Sequence, residues 1–313
     1  MIRRSVSRHC RPVAAKSAPN RSCYSEGTPI VQQIVGEPLR DQVALVTGGG
    51  RGIGRVFAKA LALAGATVAV AGRAIDDLRE TVREIETAGG RASATVIDVT
   101  DRNRVDDGFS RLESTIGVVD LLVNNAGLWG PIDNLWNADP DEWWRTMTVH
   151  VGGTFNCCRA VLPSMVRRGA GRIISLVSNA GVQRWPTCSG YSVSKAAVIK
   201  LVENLSFETK RHGIKVFAYH PGLVAAGLGE QALNLRAVAG TPADRASSWI
   251  RNEFAAGRFV SPERAAEFLV ALASGAADSL SGRYLTVFDN LQELQARAQE
   301  ILEGDLLTLR LRA

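Results

Sequence analysis

From residue 41 onward, short β-branched runs alternate with longer amphipathic stretches, and this alternation is the strongest constraint on how the chain can fold. Strands are predicted over Val43–Val46, Thr67–Ala71, Ala92–Ile97, Asp120–Val123, Arg172–Val177, Lys215–Ala218 and Tyr284–Val287. Helices are predicted over Ile53–Ala64, Ile75–Ala88, Arg102–Thr115, Pro140–Arg168, Tyr191–Arg211 and Pro262–Ala273, where apolar residues recur at helical spacing. Strands separated by helices return parallel, and a parallel sheet is covered on both faces. The expected fold class is therefore α/β, with a doubly wound, mostly parallel sheet.

No Pro/Gly/Ser-rich linker divides residues 41–288, and no repeat of fixed period occurs. One domain over residues 39–289 is the simplest organisation, with a basic tail at 1–38 and a helical extension at 290–313. In that extension Leu291, Leu294, Ala298, Ile301 and Leu302 lie near helical spacing. They predict an amphipathic helix over 291–303 that packs on the core or on a partner subunit.

The formal charge of +6 would suggest a nucleic-acid partner if it were clustered on the folded part. Instead Arg3, Arg4, Arg8, Arg11, Lys16 and Arg21 all precede the first acid, Glu26. Removing those six cations leaves 31 basic residues against 31 acidic ones, so the body is formally neutral and nucleic acid is disfavoured. The Arg/Ser-rich, acid-free first 25 residues have the composition of a mitochondrial transit peptide or of a disordered basic tail. Cytoplasmic localisation is expected, with the mitochondrial matrix as the alternative if 1–25 is a targeting segment. No apolar run reaches the length of about 18 residues that a membrane helix needs, so no membrane insertion is expected. The five cysteines, Cys10, Cys23, Cys157, Cys158 and Cys188, show no metal-ligand spacing, and free thiols without a metal are expected.

The first strand runs into Thr47-Gly48-Gly49-Gly50-Arg51-Gly52-Ile53-Gly54 and then into a helix. Glycines there remove Cβ atoms from a tight turn, so a pyrophosphate can approach the backbone N–H groups at the positive end of the helix dipole. Alone such a turn is weak evidence; its place between strand and helix strengthens it.

The spacing T-G-x-x-x-G-x-G resembles that of the short-chain dehydrogenase/reductase family, whose domain is Rossmann-type. Asp98-Val99 follows the third strand, Asn124-Asn125-Ala126-Gly127 the fourth, and Pro221-Gly222 the sixth. Ser178 stands thirteen residues before Tyr191-Ser192-Val193-Ser194-Lys195, matching the family's Ser and Y-x-x-x-K. The resemblance covers roughly residues 41–288. It implies cofactor contacts from Thr47, Gly48, Gly50, Arg51, Gly52, Ile53, Gly54, Arg73, Asp98, Val99, Asn125, Ala126, Gly127, Tyr191, Lys195, Pro221, Gly222 and Val224. It also implies a homo-oligomer, dimer or tetramer.

Residue chemistry explains why this set suits hydride transfer. Tyr191 and Lys195 lie four apart on one helix face, placing an ammonium near the phenol. A free tyrosine titrates near pH 10, and neighbouring positive charge favours its phenolate. In reduction Tyr191 would donate a proton to the carbonyl oxygen that Ser178 orients, while a nicotinamide delivers hydride to carbon. His150 stands where the family usually has Asn; it is read either as a packed histidine or as a proton relay. Ala226 replaces a common Thr that would contact the nicotinamide amide.

Cofactor choice turns on Gly72. An acid there would accept hydrogen bonds from the ribose hydroxyls of NAD, but Gly72 is uncharged and Arg73 follows it. With Arg51 in the turn, two guanidinium groups favour NADP(H), NAD(H) being the alternative. Residues 223–260 occupy the family's variable substrate-covering segment and supply Leu223, Leu228, Leu233, Trp249 and Phe254 among others. With Trp129, Trp136 and Trp185 on loops, they predict a lipophilic or aromatic pocket, or simply core packing. The leading expectation is an oxidoreductase interconverting a secondary alcohol and a ketone. The alternatives are a 3-oxoacyl-thioester reductase and, in another class, a non-catalytic NADP-binding regulatory protein.

Overall fold

The computed structural model describes residues 36–311. The basic tail, its proposed targeting role, and Cys10 and Cys23 lie outside the described residues. Seven strands, β1 Val43–Thr47, β2 Thr67–Gly72, β3 Arg91–Val96, β4 Leu121–Asn124, β5 Gly171–Leu176, β6 Ile214–His220 and β7 Tyr284–Thr286, form one sheet. Their order is β3-β2-β1-β4-β5-β6-β7, with every pairing parallel.

The helices are α1 Gly52–Leu63, α2 Ile75–Thr87, α3 Arg102–Ile116, α4 Pro140–Met147, α5 Gly153–Arg168 and α6 Ser189–Thr209. Further along the chain come α7 Leu228–Leu233, α8 Pro242–Ala255, α9 Pro262–Ala273, α10 Leu291–Ala296 and α11 Ala298–Glu303. Alternate residues of each strand face opposite layers. Val46 and Val123 thus pack with Phe57 and Leu61 of α1, Leu78 of α2 and Phe268 of α9. Leu45 and Leu122 join Val105 and Phe109 of α3, Cys157 and Val161 of α5, and Val198 of α6. Both faces of the sheet are thereby covered, which is why its inner strands β1, β2 and β4 read as largely apolar runs, whereas the edge strand β3 does not. Cys157, Cys158 and Cys188 are free, buried thiols, and burial pushes all three above the usual thiol range.

The order reverses between β1 and β4, where consecutive crossovers leave in opposite directions. In open α/β sheets a crevice forms at that point, outside the carboxyl ends of the strands.

Two expected helices differ in detail. The stretch 140–168 is interrupted by a π-helical turn, Thr148–Gly152, carrying His150. Thr146 and Thr148 return their hydroxyls to the carbonyls of Glu142 and Trp144, competing with the regular ladder, and Gly152-Gly153 lowers helix propensity where the turn passes into α5. The single helix expected over 291–303 is broken at Arg297 into α10 and α11. On a straight helix Leu291 and Ile301 would point about 80° apart; the break lets both enter the same core cluster. The extension therefore packs on its own domain.

Beyond it, the chain returns along the outer edge of the sheet. The Tyr284 N–H donates to Leu307 O at 2.9 Å, while Thr286 exchanges two bonds with Asp289, one from its N–H to Oδ2 and one from Asp289 N–H to Thr286 O. Glu203 on α6 accepts from Leu309 N–H and pairs with Arg310.

Candidate active site

At the end of β1 the chain makes a turn that only glycines allow. Gly48 and Gly52 have φ of +64° and +55°, and a Cβ on Gly54 would stand 2.2 Å from Gly48 O. Arg51, the N-cap of α1, makes no side-chain capping bond, so its side chain does not occupy the first N–H groups of the helix, which remain donors for a ligand. The turn is fastened to β4. Thr47 Oγ1 accepts from the N–H groups of Asn125 and Ala126 at 3.0 and 3.1 Å, and Asn125 Nδ2 donates to Thr47 O at 2.9 Å.

Around this turn opens a cleft of about 1250 Å³. All of the residues expected at the site line it except Thr47, Gly52 and His150, which stand behind its wall. Arg51 and Arg73 flank its β1–β2 end beside the uncharged Gly72. Asp98, although burial works against its charge, is held below the usual carboxylate range by bonds from Thr100 N–H and Oγ1, with the fields of Arg73 and Arg104 adding to them. The glycine cradle, the uncapped N–H groups and the two guanidinium groups fit a dinucleotide.

At the other end of the cleft, Ser178 follows β5 and caps a short 3₁₀ turn by accepting from Ala180 N–H. Tyr191 and Lys195 project from the first turns of α6, both less than a tenth exposed. Lys195 Nζ donates to Leu176 O at 2.8 Å and lies 5.6 Å from the centre of the Tyr191 ring. Burial brings this ammonium down to about 8. Burial pushes the Tyr191 phenol up to about 12, against the hydrogen bond from Ser178.

Aromatic side chains extend from Tyr191 along this end of the cleft. Trp129 lies 4.8 Å from Tyr191 between ring centres, Trp185 stacks on Trp129 at 6.3 Å, and Trp249 meets Trp185 edge-on at 5.6 Å. The Trp129 indole N–H donates to Leu228 O at 2.9 Å, tying the loop after β4 to the start of α7. Residues 225–259 form an excursion closed at its base, where Val260 N–H donates to Leu223 O and Val224 bridges Val260. Gly227 packs so closely on the turn that a Cβ at Gly52 would fall 2.5 Å from its Cα.

His150 is 1% exposed. Its Nδ1 is 2.7 Å from Ser194 Oγ, and its Nε2 accepts from Leu128 N–H at 3.1 Å. Leu176 O, Leu128 N–H and Ser194 escaped the sequence reading. Only Ser194 carried a signal, being three residues from Tyr191 and so on the same helical side.

The model of the family described as short chain dehydrogenase matches residues 42–234. A short chain dehydrogenase of Monascus purpureus is 35% identical over 279 residues, covering 86% of this chain and 88% of the relative. Among solved structures, gluconate 5-dehydrogenase from Burkholderia cenocepacia J2315 in complex with NADP and tartrate superposes with a TM-score of 0.72 at 30% identity. That match covers 82% of this chain and 98% of the other. Actinorhodin polyketide ketoreductase with NADPH gives 0.72 at 29% identity, covering 81% and 97%. Among the described residues no helix is long and apolar enough to cross a membrane. A family model spanning well over half of the sequence, on a sheet and cleft of this geometry, makes the chain a member of the short chain dehydrogenase family, an NAD(P)-dependent oxidoreductase acting on CH–OH groups.

Proposed function

We propose that the protein is an NADP(H)-dependent oxidoreductase that interconverts a secondary alcohol and a ketone bearing a lipophilic or aromatic group. The observation that carries this reading is the convergence of Ser178, Tyr191 and Lys195 on one cleft with the glycine turn and the Arg51/Arg73 pair. When bound, the nicotinamide supplies or accepts the hydride. The Gly48–Gly54 turn and the N-terminus of α1 hold the pyrophosphate, and Asn125, Ala126, Gly127, Pro221, Gly222 and Val224 line the nicotinamide end. Asp98 and Val99 line the adenine end. Two guanidinium groups beside Gly72 supply the forks that a 2′-phosphate needs, and both solved relatives named above carry NADP or NADPH.

Tyr191, like any phenol, carries its proton at neutral pH, and burial pushes it further toward the neutral form, so a proton is available for a substrate carbonyl. Ser178 hydrogen-bonds the same oxygen, and Lys195 stabilises the phenolate left behind. The Trp129, Trp185 and Trp249 rings offer apolar surface next to Tyr191, favouring a flat, hydrophobic substituent on the ketone. The exposed Phe155 on α5 and Phe207 on α6 support assembly through these helices into a homo-oligomer.

The test is consumption of NADPH and NADH with a panel of aryl ketones, aliphatic ketones, 3-oxoacyl thioesters and a keto-gluconate. Aryl ketones with NADPH should give the highest kcat/KM. A thioester in first place would move the assignment to a 3-oxoacyl reductase, and no turnover of any member would defeat the catalytic reading.

A further inference from the structure

The hydrogens around His150 can be assigned from chemistry alone. Leu128 N–H is a backbone donor and nothing else, so Nε2, 3.1 Å away, is the acceptor and carries no proton. The ring proton of neutral imidazole is then on Nδ1 and donates to Ser194 Oγ at 2.7 Å. Ser194 in turn donates its hydroxyl proton to Tyr191 O at 2.8 Å, a carbonyl that can only accept. Every donor in this chain points the same way, from the loop after β4, through the ring, to the backbone of Tyr191. The ring also stands edge-on to the Tyr191 phenol, 5.6 Å between centres. It reaches Leu128 only because residue 127 is glycine, since a Cβ there would lie 2.9 Å from Nε2.

We infer that His150 and Ser194 form a strut that positions Tyr191 against the Leu128–Trp129 wall of the cleft, and that His150 is a positioning residue, not a proton relay. This rests on the reading of Tyr191 as proton donor. A relay needs a mobile proton on both sides of the ring, and here one side ends on a peptide N–H. Burial and the Lys195 ammonium further disfavour a charged ring. What the strut sets is the placement of the phenol relative to the loop flanking the nicotinamide end. Displacements on the order of 1 Å at a reacting group cost up to about 100-fold in rate. The dinucleotide cradle at β1 is untouched by the strut, so the loss should fall on kcat and not on cofactor affinity.

The two ends can be cut separately. His150→Asn keeps a donor near the Nδ1 position for Ser194 but withdraws the acceptor from Leu128; His150→Gln does the reverse. Ser194→Ala removes a single oxygen and leaves the fold's apolar contacts intact. Each is expected to lower kcat about 10-fold with the NADPH Kd within about twofold of wild type. Because both ends belong to one unit, the Ser194→Ala/His150→Gln double variant should be no slower than the single variants. Wild-type kcat in Ser194→Ala, or a double variant whose losses multiply, would overturn the strut. A kcat titration near neutral pH that His150→Gln abolishes would reinstate a relay and overturn it equally. These variants are compared on whichever panel substrate wild type turns over, so failure of the panel itself counts against the assignment of Tyr191 and not against the strut.

Discussion

Lys195→Met is expected to make the cofactor-free protein more stable at neutral pH while removing its activity. Lys195 is 6% exposed, and its ammonium donates to Leu176 O. Burial lowers it from 10.5 to about 8, so between those values the unfolded chain holds a proton that the native state has released. Stability due to this group therefore rises with pH from about 8 to 10.5. Below 8 the native state bears the full cost of burying the charge, on the order of 3 kcal/mol. Methionine fills similar space without charge, and against the relieved penalty stands the lost bond to Leu176 O, about 1.5–3 kcal/mol for a charged donor. The variant should thus be more stable at pH 7 by about 1 kcal/mol and lose that advantage by pH 10. Urea unfolding of both proteins at pH 7 and pH 10 reads this directly, because all other titrating groups are shared. An equal difference between variant and wild type at the two pH values would refute the argument.

Tyr191→Phe keeps the ring against Trp129 but lacks the transferable proton; NADPH binding should persist while kcat falls by about 10²- to 10⁴-fold, as single-turnover kinetics would reveal. Gly72→Asp with Arg73→Leu should move the ratio of kcat/KM for NADPH and NADH toward NADH, and the site tolerates it, because a Cβ at Gly72 meets Leu78 Cδ2 at an ordinary 3.4 Å. A wild-type enzyme already preferring NADH would contradict the premise. Trp129→Phe retains an aromatic wall and loses the bond to Leu228 O, worth about 0.5–1.5 kcal/mol, so KM for the ketone should rise roughly 2- to 10-fold at near-constant kcat.

Much of this architecture was legible in the sequence because its signals are local. A parallel strand buried on both faces announces itself as an apolar run, and the glycines of Gly48–Gly54 announce a turn that side chains would block. Helical spacing placed Tyr191 and Lys195 on one face, and the resemblance carried by Ser178, the glycine turn and Asn124-Asn125-Ala126-Gly127 gave the pair its role. What escaped depends on contacts between distant segments. Trp129, Trp185 and Trp249 come from three separate elements, and nothing in their spacing tells that they meet in a row. Lys195 finds Leu176 O through a backbone carbonyl, which has no letter in the sequence. The π turn at Thr148–Gly152 coincides with two threonine hydroxyls bonded back to the Glu142 and Trp144 carbonyls, a local perturbation too small to read from propensity.

The sealing of β7 has a consequence for the order in which the molecule can be completed. The backbone N–H groups that Tyr284 and Thr286 turn away from the sheet are taken by Leu307 and Asp289, both later in the chain than the strand itself. As the polypeptide leaves the ribosome, β7 is thus available before its cover exists, and a short strand with open donors is a template for any other extended chain. The interval lasts until the twenty or so residues beyond it have emerged and α10 and α11 have folded back. Removing the segment that carries Leu307 would leave the Tyr284 N–H open permanently, so soluble yield during expression should fall when that segment is deleted.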